Sequence, residues 1–172
     1  MHGFFIEQER RCLKLVEVER ALLASLISQI IQLLDLQDDS DRDPFDFLND
    51  LGKPVHRPQD EVVYRLLPDA YGDDEDANSD FRRFTEGNLR DEKLQLARRI
   101  LTLLPKNDAP IEIPDQDFET WLKSLNDVRL ALGTRLEITE DLNSISLDQE
   151  KESLFEVYDW LTWLQGTLLD TK

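Results

Sequence analysis

Glu17-Val18-Glu19-Arg20-Ala21-Leu22-Leu23-Ala24-Ser25-Leu26-Ile27-Ser28-Gln29-Ile30-Ile31-Gln32-Leu33-Leu34-Asp35 is the stretch on which the fold class turns. Leu22, Leu26, Ile30 and Leu33 recur at helical spacing, and Leu23, Ile27, Ile31 and Leu34 widen the stripe. An apolar arc that wide predicts a helix lying against two or more neighbours, since one neighbour covers only a narrow seam.

On the N-terminal side, Phe4–Ile6 and Leu13–Val16 read either as two short strands or as an irregular lead-in. On the C-terminal side, Gln37–Gln59 is polar, with Asp43-Pro44 placed as N-cap and N1 of a short helix that Gly52 stops. A second short helix follows Asp60 and ends before Pro68. The run Asp73, Asp74, Glu75, Asp76 opens the next, because carboxylates suit the positive end of a helix dipole. Gly87-Asn88 is expected to break that helix, with Asn88 capping a second segment that ends at Pro105. Pro105, Pro110 and Pro114 mark a connector. The following helix starts near Asp115 or Asp117 and carries Phe118, Trp121, Leu122, Leu125, Val128 and Leu132. Ser146 and Gln149 have capping-box spacing and open the last helix, which runs to about Leu169. The expected architecture is an all-α bundle of about five main helices, with a short N-terminal strand pair as its one β element, in a single domain spanning residues 1–172.

Composition narrows the function classes. Lys and Arg number 20 against 37 Asp and Glu, a formal net charge of −17. That excess repels phosphate backbones and anionic membrane surfaces, so nucleic acid and membrane are disfavoured as partners. A hydrophobic fraction of 40% is too high for a disordered acidic tail. Cys12 is the single cysteine, which rules out an intramolecular disulfide and fits a reducing compartment. No apolar run approaches the ~20 residues of a membrane span. Residues 1–7 lack a basic segment followed by a long apolar one, so the expected location is the cytoplasm.

The chain carries no G-x-S-x-G elbow, phosphate loop or G-x-G-x-x-G. His2 and His56 have no Cys or His at ligand spacing, so neither a metal nor a cofactor is called for. Asp39, Asp41 and Asp43 start like a calcium loop, but Pro44 stands where glycine must turn and Asp50 where a bidentate Glu closes it. Asp74, Asp76 and Asn78 fail similarly, with Ser79 and Thr85 at those places, so solvated loops and caps are the better account. Cys12 has no evident His partner and reads as a small buried group.

A helical wheel gives a sharper signal. Glu19 falls inside the apolar arc of helix 17–35, and Arg129 lies at the edge of the apolar face of the 117–136 helix, beside Phe118 and Leu122. Asn126 and Gly133 line the same shoulder. A charge in such a place must be paired or reach water. Glu19 and Arg129 are therefore expected in a partly buried polar network, with Arg65, Arg82 and Asp127 as further members. Such a network serves either as a structural salt bridge that fixes helix register or as a pocket. Arg82, Arg83, Arg90, Lys93, Arg98 and Arg99 give residues 82–99 a basic bias, diluted by Glu86, Asp91 and Glu92, which reads as a solvated face. In the last helix Leu154, Val157, Leu161, Leu164 and Leu168 form one stripe; Phe155 and Trp160 flank it and Trp163 points away. Aromatics off the core face mark either a partner surface or a helix buried on two sides.

Three blocks carry a family resemblance. One is Arg65-Leu66-Leu67-Pro68-Asp69-Ala70-Tyr71, continued by Asp73-Asp74, Phe81-Arg82-Arg83 and Thr85-Glu86. Another is Trp121-Leu122 with Leu125-Asn126-Asp127-Val128-Arg129-Leu130-Ala131-Leu132-Gly133-Thr134-Arg135-Leu136. The last is Val157-Tyr158-Asp159-Trp160-Leu161-Thr162-Trp163-Leu164-Gln165. With Glu19-Arg20-Ala21-Leu22-Leu23 and Asp43-Pro44-Phe45, they resemble an actinobacterial family of unknown function over nearly the whole chain. The resemblance implies a small cytoplasmic protein whose gene often neighbours that of the substrate adaptor of the Clp protease. Some members carry the label of transcriptional regulator. The matching motif positions Arg65, Tyr71, Arg82, Glu86, Asn126, Asp127, Arg129 and Arg135 overlap the polar shoulder.

These observations support first a non-catalytic protein-binding or regulatory module linked to Clp-dependent proteolysis, with a protein partner and with self-association left open. The alternatives are a DNA-binding regulator, which needs a tight helix-turn-helix and a basic recognition helix, and an enzyme that holds a small anion at Arg129 and Asn126, which needs a pocket with convergent polar groups.

Overall fold

The computed structural model describes residues 2–35, 56–138 and 149–172, with the backbone alone at 149 and 150. The Asp43-Pro44 helix with its Gly52 stop, the Asp39–Asp50 loop and the Ser146 cap lie outside the described residues.

The elements in chain order are β1 (Gly3–Glu7), β2 (Arg10–Lys14), α1 (Glu17–Asp35), α2 (Glu61–Leu66), α3 (Glu75–Phe81), a π-helical segment (Arg82–Glu86), α4 (Gly87–Leu103), β3 (Ile111–Glu112), a 3-10 turn (Asp115–Asp117), α5 (Phe118–Arg135) and α6 (Gln149–Leu169). With α3, the π segment and α4 taken as one rod, this is a five-helix bundle among the described residues, with a small antiparallel sheet.

The caps behave as local chemistry dictates. Asp60 accepts from the amides of Val62 and Val63, and Asp74 from that of Ala77. Asn78 accepts from Tyr71 N and donates to Gly72 O, closing the loop before α3. α1 buries Leu23, Ile27, Ile30 and Leu34, with Leu26, Ile31 and Leu33 packed at the edges. It touches α4 and α5, as its wide stripe requires. The helix with most neighbours is α5, which packs on α1, α2, α4 and α6 around Trp121, Leu125, Val128 and Leu132. α6 turns Leu161, Leu164 and Leu168 inward.

One expectation is corrected. Gly87-Asn88 does not break the helix: Gly87 keeps helical angles (φ −57°, ψ −48°) and the rod continues to Leu103. The irregularity is a π segment just before it. Glycine in a helix costs about 1 kcal/mol relative to alanine, which the packing of Leu94, Ala97 and Ile100 outweighs. The Pro-rich connector is not wholly irregular. Ile111 and Glu112 pair with Leu13 and Cys12 as a third strand, possible because Pro110 and Pro114 lie outside the paired residues.

The strand pair itself is present, with Phe4 opposite Leu13 and Phe5 opposite Cys12. Its two-residue turn uses Gln8 (φ 49°) and Glu9 (φ 62°), both left-handed without glycine. Gly3 (φ +76°) lets β1 press against α6: a Cβ there would lie 2.9 Å from Thr167 Oγ1 and from the Trp163 ring. Thr167 Oγ1 in turn accepts from Phe4 N at 3.1 Å. The N-terminal strand thereby positions the aromatic end of α6.

Candidate functional site

Glu19 is the third residue of α1, and its carboxylate does three things. It accepts from Val16 N (2.9 Å), closing its own helix start as half of a capping box. It also meets His2 Nε2 (2.6 Å) and accepts from Trp160 Nε1 (3.1 Å) on α6. His2 stacks on Trp163, with ring centroids 5.5 Å apart and planes 20° apart. Trp160 is half-buried under this arrangement, whereas Trp163 is 42% exposed. Phe155 is half-buried one turn earlier and rests on Tyr158. Exposed Val16 and Val18 flank the start of α1. The exposed Trp163 ring is thus held by the stacked His2 ring and by the close approach of Gly3, while Phe155 lies with Tyr158 on another side of α6.

Arg129 is elsewhere. It projects from α5 toward α6, where Nε donates to Thr162 Oγ1 (3.1 Å), Nη1 to Gln165 Oε1, and Nη2 to the Tyr158 hydroxyl (3.5 Å). The Tyr158 ring lies 5.3 Å from the guanidinium carbon. Arg65 of α2 and Asn126 of α5 share with Arg129 one groove of about 640 Å³, between α2, α5 and α6.

Arg82 forms a separate cluster. Its side chain is 2% exposed, with Nη1 2.5 Å from Glu86 Oε2 and Nη2 2.7 Å from Asp69 Oδ1. The Asp69 contact runs off the N–H directions, so it is an ion pair without a hydrogen bond. Glu86 also takes Arg90 (2.8 Å), and Arg90 donates to Leu34 O at the end of α1. Asp127, buried in α5, faces Lys93 of α4 at 2.6 Å. Burial pushes its carboxyl above the usual range, against the opposing pull of Lys93. Native Asp127 therefore binds its proton more tightly than the unfolded chain does. Its charged form weakens the fold as pH rises through the raised pKa, and that loss is absent below the ordinary carboxylate range.

The sequence-level candidates thus fall into distinct places. Arg65, Asn126 and Arg129 line one groove; Glu19, Arg82 and Asp127 each belong to another cluster. The basic bias of 82–99 is internally matched: Arg82 and Arg90 with Glu86, Arg83 with Asp80, Lys93 with Asp127, Arg98 with Asp35 and Arg99 with Asp117. Cations so matched have little charge left for a phosphate backbone. Among the described residues no three His, Cys, Asp or Glu side chains gather as a metal site. Sequence reading missed Tyr158, Thr162 and Gln165 as the partners of Arg129. Their spacing at i, i+4 and i+7 on one helical face was the available signal.

The family model of a domain of unknown function, DUF2017, matches residues 1–171. The chain belongs to the DUF2017 family. Among curated proteins, this DUF2017 chain is 35% identical over 169 residues to proteins named oxidative stress regulator AosR from Mycobacterium tuberculosis and Mycobacterium bovis, with 88% of this chain and 77% of each relative covered. A Mycobacterium leprae protein with the same AosR designation is 32% identical over the same coverage. No solved structure matches it. Among its described residues no helix is long and apolar enough to cross a membrane.

Proposed function

We propose that this DUF2017 protein is a non-catalytic cytoplasmic regulator that works as one domain, residues 1–172, by binding a protein partner. The observation that carries the reading is its 35% identity, over 88% of its length, to proteins named oxidative stress regulators. The exposed Trp163, braced by His2 and Gly3, supplies a surface suited to that role. Tryptophans held rigid at a surface lose little conformational freedom on binding and are common interface anchors. Clp-dependent proteolysis is the pathway in which to seek the partner first, as the family resemblance implies. A DNA-binding mode has no matching observation here, since the cations of residues 82–99 are already paired within the chain.

The test is affinity capture from nuclease-treated cytosol, with Trp163→Ala as the control. A stoichiometric protein retained by the natural chain is expected to bind about thirty-fold more weakly to the variant, the effect of a hot-spot tryptophan worth about 2 kcal/mol. Capture of no protein, or equal capture by both chains, would sink the proposal.

Within this reading, oxidant sensing is placed outside Cys12. Cys12 is buried on β2, and desolvation first, then the nearby Glu7 and Glu112, pushes its pKa above the ordinary value. A thiol so tuned offers little thiolate at neutral pH, and the thiolate is the reactive form. Native protein is expected to react with iodoacetamide at pH 7 more slowly than free cysteine, with the rate rising as pH climbs toward the raised pKa and levelling off above it. Labelling at the free-cysteine rate would return Cys12 to candidacy.

A further inference from the structure

We propose that the groove between α2, α5 and α6 binds a small molecule carrying an oxyanion, gripped by the guanidiniums of Arg65 and Arg129. The argument begins with charge. On a chain of net charge −17, cations readily find carboxylates: Arg11 has Asp115, Arg20 has Asp108 and Arg99 has Asp117. Arg129, although half-buried, has none among the described residues; its hydrogen-bond acceptors there are a hydroxyl, an amide oxygen and a phenol. Arg65 lies exposed in the same groove and makes no ion pair among the described residues. The acids of the groove are engaged: Glu61 with Arg57 (3.5 Å) and Glu137 with Lys151 (3.4 Å). Among the described residues, then, the two guanidiniums of the groove are left without a carboxylate partner while its two carboxylates have cations of their own.

Geometry adds to this. A guanidinium has five N–H donors. Arg129 uses one on Nε and one on each Nη, so each Nη retains one N–H. Its neutral partners hold the planar group in one pose without cancelling its charge, which is the preorganisation that bidentate capture of a carboxylate or phosphate requires. Arg65 adds a second cation, and the exposed Asn126 amide a neutral donor. A space of about 640 Å³ lies within the ordinary range for small-molecule sites. Because a carboxylate and a phosphate present the same paired oxygens, the shared chemistry defines the site.

The test is an NMR titration of the full chain at low ionic strength, with inorganic phosphate, pyrophosphate and citrate as probes and sodium chloride as the ionic-strength control. Saturable shifts are expected at the Arg129 Nε–H and the α5 amides, and whichever probe gives them distinguishes phosphate from carboxylate recognition. Arg65→Ala carries the decision, because an exposed side chain without an ion-pair partner is removed without cost to the fold. Affinity is expected to fall about tenfold or more with the loss of one charge-assisted contact. Trp163→Ala should leave the titration unchanged, so this site and the proposed protein surface fail separately. Absence of saturable shifts beyond the chloride control, or identical titrations with Arg65→Ala, would overturn the assignment.

Discussion

Arg82→Met is expected to lower the free energy of unfolding by about 3–5 kcal/mol, the cost of removing one partner from a buried ion pair. The side chain is 2% exposed and its two terminal nitrogens serve Glu86 and Asp69. Methionine fills much of the space but leaves Asp69, 15% exposed, without its cation, and leaves Glu86 to Arg90 alone. The same cluster joins the loop after α2, the π segment and, through Arg90, the last carbonyls of α1, so its loss loosens several elements together. Arg98→Met provides the contrast. That arginine is 56% exposed and its partner Asp35 41%, so the change should cost no more than about 1 kcal/mol. Urea midpoints of the two variants decide the matter: equal, small shifts would mean that the Arg82 cluster is more hydrated than its burial implies. Asp69→Asn in the Arg82→Met background should recover part of the loss, since it removes the orphaned charge.

Trp121→Ala is expected to cost a further order-matched 3–5 kcal/mol, roughly the range for emptying a large aromatic site. Trp121 has no exposed surface, packs edge-on against Phe4 with centroids 5.3 Å apart, and stands in the first turn of the helix that touches four others. Trp121→Phe should behave differently. The indole Nε1 is buried without an acceptor, so phenylalanine removes an unsatisfied donor while keeping most of the ring. The offset should hold the loss below about 1.5 kcal/mol. Thermal and urea unfolding of the two variants test this. A phenylalanine variant as unstable as the alanine one would show that the indole's volume alone, with no relief from its N–H, governs the site.

Much of the helical frame was legible because its signals are local. Asp60 and Asp74 cap the helices that they precede, Pro68 and Pro105 follow helix ends, and the stripes on α1, α5 and α6 name their buried faces. The hairpin was harder, because Gln8 and Glu9 adopt positive φ without the Asn-Gly or Asp-Gly pair that usually announces such a turn. The candidate polar residues stood out for a sound reason, charge inside or beside an apolar stripe, yet that reason names no partner. Glu19 meets Trp160 across 141 positions and Arg129 meets Gln165 across 36.

The sequence by itself determined helix positions, caps and buried faces, since each depends on residues within a few positions of one another. It also determined the family, because the matching blocks extend over the chain. Only the tertiary structure decided three things. Ile111 and Glu112 became a strand because β2 offered an open edge. Gly87 stayed helical because neighbouring packing outweighed its entropy. The charges sorted into a capping face, a sealed cluster and a groove shared by Arg65 and Arg129 because each cation settled with whatever acceptor folding brought beside it, and that is a matter of distance in space rather than along the chain.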